Sequence, residues 1–239
     1  MRRTHSLPEA VRQIGPVLVA LLVVAFTLRG MAADAPDQDA AAAMRNFLDR
    51  PATPHQYRAE RRLEASGSGQ HGWLDVQTQF TVASGMRYEV TAEGGSGYIR
   101  SRVLRSMLDE EQETLARGAS AAVAISTANY RFAPEGLDED GLAIVGVRPL
   151  RKDRNLIAGR VLLTTDGDLL RIEGRLVKNP SFWVTRVDLI KTYRRISGVL
   201  MPVSLETKAQ LRLLGSSALR MTYRYSQIDE RPVEEGEGD

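Results

Sequence analysis

Apolar and polar side chains alternate with period two along much of the chain after residue 56. In the stretch 57–65, Tyr57, Ala59, Leu63 and Ala65 share one face, and Arg58, Glu60, Arg62 and Glu64 share the other. Residues 66–72 (SGSGQHG) predict a flexible connection. Leu74, Val76, Thr78 and Phe80 then point one way, with Asp75, Gln77 and Gln79 opposite. After the Ser84-Gly85 turn, Met86, Tyr88, Val90 and Ala92 alternate with Arg87, Glu89 and Thr91. This alternation means strands with one wet and one buried face.

Two segments carry the helical period instead. Asp39 is expected to cap a short helix over 40–49, with Met44, Phe47 and Leu48 on one face and Pro51 and Pro54 beyond its end. From about 100 to 116, Val103, Leu104, Met107, Leu108 and Leu115 form an apolar stripe, while Asp109, Glu110, Glu111 and Glu113 are expected mainly on the polar side. Residues 119–127 are small, apolar and ambiguous.

Strands are predicted again over 128–133, 142–150, 155–165, 168–178, 183–196, 199–214 and 217–228. The clearest run alternates Met201, Val203, Leu205, Thr207, Ala209, Leu211 and Leu213 with polar partners. The last places Leu219, Met221, Tyr223 and Tyr225 on one side. Asp166-Gly167 and Ser197-Gly198 mark hairpins. Short separations predict antiparallel neighbours. About ten strands with one apolar face curl into a barrel or pair into a sandwich. Their length favours a single curved sheet, with helices 40–49 and 100–116 over its concave side.

The N-terminus changes the setting. Arg2, Arg3 and Arg12 precede an uncharged run of 12 residues, Val17–Leu28, followed by Gly30, Met31, Ala32 and Ala33. That run is short of the ~20 residues a membrane span needs and matches a secretory signal peptide. Cleavage is expected after Ala32 or Ala33, with an uncleaved anchor as the alternative reading. Residues 1–32 are thus a signal peptide, 33–55 a spacer with the first helix, 56–230 a β domain and 231–239 a disordered acidic tail. Residues 1–32 hold four of the 32 basic and one of the 30 acidic side chains, so the remaining 207 residues carry 28 and 29, a net charge of −1. The apparent pI of 9.0 is therefore partly the signal's. A near-neutral mature chain argues against nucleic-acid binding. There is no cysteine, which excludes a lipidated N-terminus, disulfides and thiolate chemistry.

Candidate chemistry is sparse. Gly67–Gly72 matches a dinucleotide-binding glycine pattern, but a strand rather than a helix follows it. His55 and His71 lack neighbours suited to a metal or a catalytic triad, and Glu135, Asp138, Glu139 and Asp140 do not fit a calcium loop. No catalytic, metal or cofactor residue is expected. Arg175, Arg186, Lys191, Arg194 and Arg195 read as a solvated sheet face, or as a surface for anionic headgroups or a partner.

The order of signal peptide, short helix, three-strand meander, helix and long hairpin run resembles the LolA/LolB/RseB-like superfamily of outer-membrane lipoprotein-sorting proteins. The resemblance is carried by EGRLVKNPSFW (Glu173–Trp183), VLMPVSLETKAQLR (Val199–Arg212) and MTYRYSQID (Met221–Asp229). It implies a mainly β (α+β) fold, a half-open antiparallel barrel with helices covering the concave face. It also implies a periplasmic, non-enzymatic carrier of a lipid or lipoprotein acyl chain. The alternative is an envelope sensor or scaffold that binds a partner protein through the open sheet. The chain lacks the lipidated cysteine of LolB-like members and the second domain of RseB-like ones. An acyl chain needs a concave apolar surface. The expected lining is Leu74, Val76, Phe80, Tyr88, Val90, Leu205, Leu211, Met221 and Tyr223, roofed by Val103, Leu104, Met107 and Leu108.

The export reading predicts that intact-mass measurement of the exported protein shows a chain beginning at Ala33 or Asp34; a mass that retains residues 1–32 would favour the anchor.

Overall fold

A computed structural model describes residues 38–50, 54–179, 182–212 and 215–233. The expected signal peptide lies outside the described residues. Helix α1 is Gln38–Asp49, and the first three strands are β1 (Gln56–Gly67), β2 (Gln70–Thr81) and β3 (Gly85–Gly95). A π-helical segment, Ile99–Arg105, runs directly into α2 (Ser106–Ala116), and a 3-10 turn follows at Ala119–Ala122. The chain then returns to strands: β4 (Tyr130–Leu137), β5 (Ala143–Pro149), β6 (Ile157–Leu163), β7 (Leu169–Leu176), β8 (Val184–Ile196), β9 (Val199–Leu211), β10 (Gly215–Ile228) and β11 (Arg231–Pro232).

All pair antiparallel in one sheet of order β3-β2-β1-β10-β9-β8-β7-β6-β5-β4, with β11 added on β10. The sheet does not close, since β3 and β4 end the order without pairing. Its inner face is mostly apolar, so it curls, as the long alternating strands predicted. Arg231–Pro232 pairs with Gln227 and Ile228, so the chain just past residue 230 continues the sheet; residues 234–239 lie outside the described residues.

Turn chemistry sets the hairpins. The 66–72 connection is tighter than expected. Only Ser68 (φ 51°) and Gly69 (φ 74°) leave the ladder, a two-residue turn with both residues left-handed. Ser197 (φ 49°) and Gly198 (φ 83°) repeat that device between β8 and β9. Curvature needs bare backbone as well. Gly146, Gly159 and Gly174 lie on neighbouring strands, with Gly159 directly opposite Gly174. A Cβ on Gly159 would lie 2.0 Å from the Glu173 carbonyl oxygen.

The two helical pieces cover different parts of the opening. α1 packs on β4–β6 and buries Ala40, Ala43, Met44 and Phe47, while Leu48 is half-buried. Gly167 abuts it so closely that a Cβ would lie 2.6 Å from the Phe47 nitrogen. The π segment and α2 pack on β1–β3. Ile99 sits on Gly72, where a Cβ would come within 3.0 Å of it. The last glycine of the rejected phosphate motif is thus a seat for the roof. Residues 119–127, ambiguous in sequence, form turns that Asn129 holds by donating to the carbonyls of Ala121 (2.8 Å) and Ala124 (2.9 Å), and the strand predicted from 128 begins at Tyr130.

Because Gly159 has no room for a side chain, Gly159→Ala should lower unfolding stability by about 1–3 kcal/mol, read as a lower urea midpoint at unchanged m-value.

Candidate functional site

Hydrogen-bond register builds the inner face in rows. One row crosses eight strands: Leu74, Leu63, Met221, Leu205, Lys191, Ile172, Val161 and Val145 are successive direct partners from β2 to β5. All eight are buried, and seven are apolar. The adjacent row joins Val76, Arg61 and Tyr223. Arg61 and Lys191 are thus charged side chains on the apolar face of the sheet. Lys191 was expected among solvated basic residues, and the structure corrects this: strand period two places it with Leu189 and Tyr193, at 0% exposure.

The roof supplies the third charge. Glu111 was expected on the polar side of its helix, yet it is 1% exposed. It follows Met107 and Leu108 by four and three residues and precedes Leu115 by four, so helical geometry puts it inside the apolar stripe. Arg61 Nη2 donates to Glu111 Oε2 at 2.7 Å. The guanidinium also lies 2.8 Å from the Met221 sulfur and 4.9 Å from the Tyr223 ring centroid. Among the described residues, Arg61 Nε, Glu111 Oε1, Thr78 Oγ1 and the hydroxyls of Tyr193 and Tyr223 are buried without a hydrogen-bond partner.

Burial and charge oppose each other here. Burial would lower the Arg61 pKa, but the Glu111 carboxylate and the rings of Tyr223 and Tyr57 more than offset it, so Arg61 stays charged. Burial raises the Glu111 pKa, against the pull of Arg61 and Lys191. Lys191 is pushed down to about 7, chiefly by burial, partly countered by Glu111 and reinforced by Arg61. Taking such charges out of water costs several kcal/mol per ion, and an apolar set of the same shape is often more stable. Stability alone therefore does not account for them.

Outside the barrel, polar contacts tie the roof to the edge strand β3. Tyr88 donates to Asp109 Oδ1 at 2.5 Å. Arg100 and Arg105 both reach Glu93, Arg105 at 2.5 Å. Gly94 and Gly95 end β3 packed closely on Trp73 and His71, and Ser96 and Gly97 join the strand to the segment before the π helix. π segments inside helices are uncommon and gather at functional places.

Of the expected lining, Leu74, Val76, Leu205, Leu211, Met221 and Tyr223 are buried together, with Val103, Leu104, Met107 and Leu108 above them. Tyr88 and Val90 are half-buried at its margin. Phe80 is also half-buried and stacks on Tyr57 with centroids 5.3 Å apart. These side chains fill the barrel in this closed form. Between the π segment and the ends of β1, β9 and β10, a mainly apolar cleft remains, lined by Ala65, Ile99, Val103, Ala209, Leu211 and Leu219. Its cavity volume of about 40 Å³ admits a water or a methyl group, not an acyl chain.

The other sequence candidates scatter. His55 and His71 flank opposite ends of the β1–β2 hairpin. Asp138 accepts from the backbone N–H of Asp140 and Leu142, shaping its own turn. Arg186 pairs with Asp188, and Arg195 with Asp168. Arg175 and Arg194 are exposed.

No protein-family model matches the chain. No curated protein matches it either. Solved structures do match. A DUF1329 family protein from Desulfovibrio piger is 12% identical, with 80% of this chain and 92% of that one covered and a TM-score of 0.38. A LolA superfamily protein from Nitrosomonas europaea is 11% identical, with 84% and 97% covered and a TM-score of 0.37. The second carries the superfamily name that the sequence resembles, and at these identities and TM-scores neither assigns a role to a residue of this chain.

Between about pH 7 and 10 the unfolded chain holds a proton on residue 191 that the folded chain lacks. Lys191 therefore opposes folding least at high pH. Unfolding free energy should rise with pH across that window, by at most about 1.4 kcal/mol per pH unit from this group. Lys191→Met should remove that part of the slope, as read by urea titrations at several pH values.

Proposed function

We propose that the protein is a non-enzymatic, periplasmic carrier or binder of a lipid or lipoprotein acyl chain. The carrying observation is the mostly apolar inner face, roofed by a separate helical piece rather than sealed by a closed sheet. A chain of methylenes laid along that face would gain about 0.8 kcal/mol per buried CH₂, and the flexible Met107, Met201 and Met221 side chains suit a cargo of many conformers. The present form is the closed one. Cargo enters when the π segment and α2 lift away from β1–β3, widening the cleft beside Val103. The alternative, a sensor or scaffold that binds an envelope protein, is supported by the two unpaired sheet edges, β3 and β4.

Protein purified from the envelope of its producing cell should release acyl lipids on extraction, detected by mass spectrometry. Lipid-stripped protein should bind a fluorescent acyl probe. Ala209→Trp, which fills the cleft, should weaken the probe by about tenfold or more without changing the far-UV spectrum. Protein that carries no lipid and leaves the probe unbound would sink the carrier reading.

A further inference from the structure

The charges under the roof bear on what kind of acyl cargo fits. Arg61 presents a planar fork suited to grip both oxygens of one carboxylate. In the closed form it is only half used. Nη2 holds one Glu111 oxygen at 2.7 Å, Nη1 faces the Met86 sulfur at 3.6 Å, and Nε has no partner among the described residues. The second Glu111 oxygen and the Tyr223 hydroxyl are unpartnered too. Glu111 thus holds its carboxylate at the guanidinium from above in an incomplete grip.

Resting on the carrier reading, we propose that Arg61 is the docking point for the carboxylate of a long-chain fatty acid, and that Glu111 occupies this point while the roof is shut. The incoming carboxylate bridges Nε and Nη2 and accepts from the Tyr223 hydroxyl. Glu111 is displaced, and because it sits on α2, its release frees the roof. The acyl chain runs from Arg61 along Leu63 and Met221 towards the cleft at Ala65. That position is four residues further along β1, a distance of about 13 Å. A neutral ester or a diacylglyceryl group has the same apolar tail but cannot replace Glu111 on the guanidinium. The roof carboxylate thus serves as an internal competitor that selects for acids.

Displacement of a fluorescent acyl probe by palmitate and by its methyl ester tests this on the whole mature protein. Palmitate should displace the probe at a concentration at least about tenfold lower than the ester, the size of one charge-assisted hydrogen bond. Glu111→Gln, close to isosteric, should tighten palmitate by about tenfold, and because it loosens the roof it should also ease entry of the ester. Arg61→Met should erase the preference; as that change strains the fold, Glu111→Gln decides. Equal displacement by acid and ester, or no gain in Glu111→Gln, overturns the docking point while the carrier reading stands. Failure of both amphiphiles to bind overturns the two together.

Discussion

A single open sheet with one apolar face has to keep that face out of water, and everything else in this fold answers that constraint. Ten strands in an unbroken antiparallel order cannot bury their inner side against one another unless the sheet curls. Gly159 and Gly174 permit the curl by leaving backbone against backbone, and Gly146 leaves room for the Glu135 side chain. Even so, the edges β3 and β4 do not meet. The remaining opening is covered by α1 over β4–β6 and by the π segment with α2 over β1–β3. The second of these is also the crossover that joins β3 to β4. The roof and the route between the sheet's two edges are the same stretch of chain.

Against that apolar demand, Arg61, Lys191 and Glu111 stand out. Each loses hydration on burial, and the partners available inside compensate them incompletely, as the unpartnered Arg61 Nε and Glu111 Oε1 show. Arg61 and Glu111 belong to different layers, floor and roof, so their bond is also a polar contact that crosses the interior. The outer ties of Glu93 to Arg100 and Arg105 lie beside Gly94–Gly97, while Tyr88 and Asp109 meet further along β3 and α2, and all are partly wet.

Much of this was legible in the sequence. The strand alternation gave the inward set Leu74, Val76, Leu205 and Met221, and the helical stripe gave Leu104, Met107 and Leu108. The three buried charges were missed, although the same periods locate them. Arg61 lies between Ala59 and Leu63 on the inward parity, Lys191 between Leu189 and Tyr193, and Glu111 within the helical stripe. Side-chain chemistry argued for solvent where position argued for the core, and position prevailed because these groups meet one another there. Strand order was not legible. Alternation says which face is buried but not which strand is the neighbour, so the pairing of β1 with β10 had no local signature.

That pairing has a consequence for how the molecule comes into being. Residues 56–95 and 130–211 can each zip up by short hairpins, one strand after the next. The seam between them, Tyr57 opposite Ile228 through Gly67 opposite Ser217, joins positions far apart in the chain. Contacts of such separation form late, because a long loop must close before any of them rewards it. Without β10 the pairing order falls into two blocks, β1–β3 and β4–β9, with no strand to join them. The last long strand acts as the keystone, and a chain that emerges end to end reaches its native shape only when almost all of it has arrived.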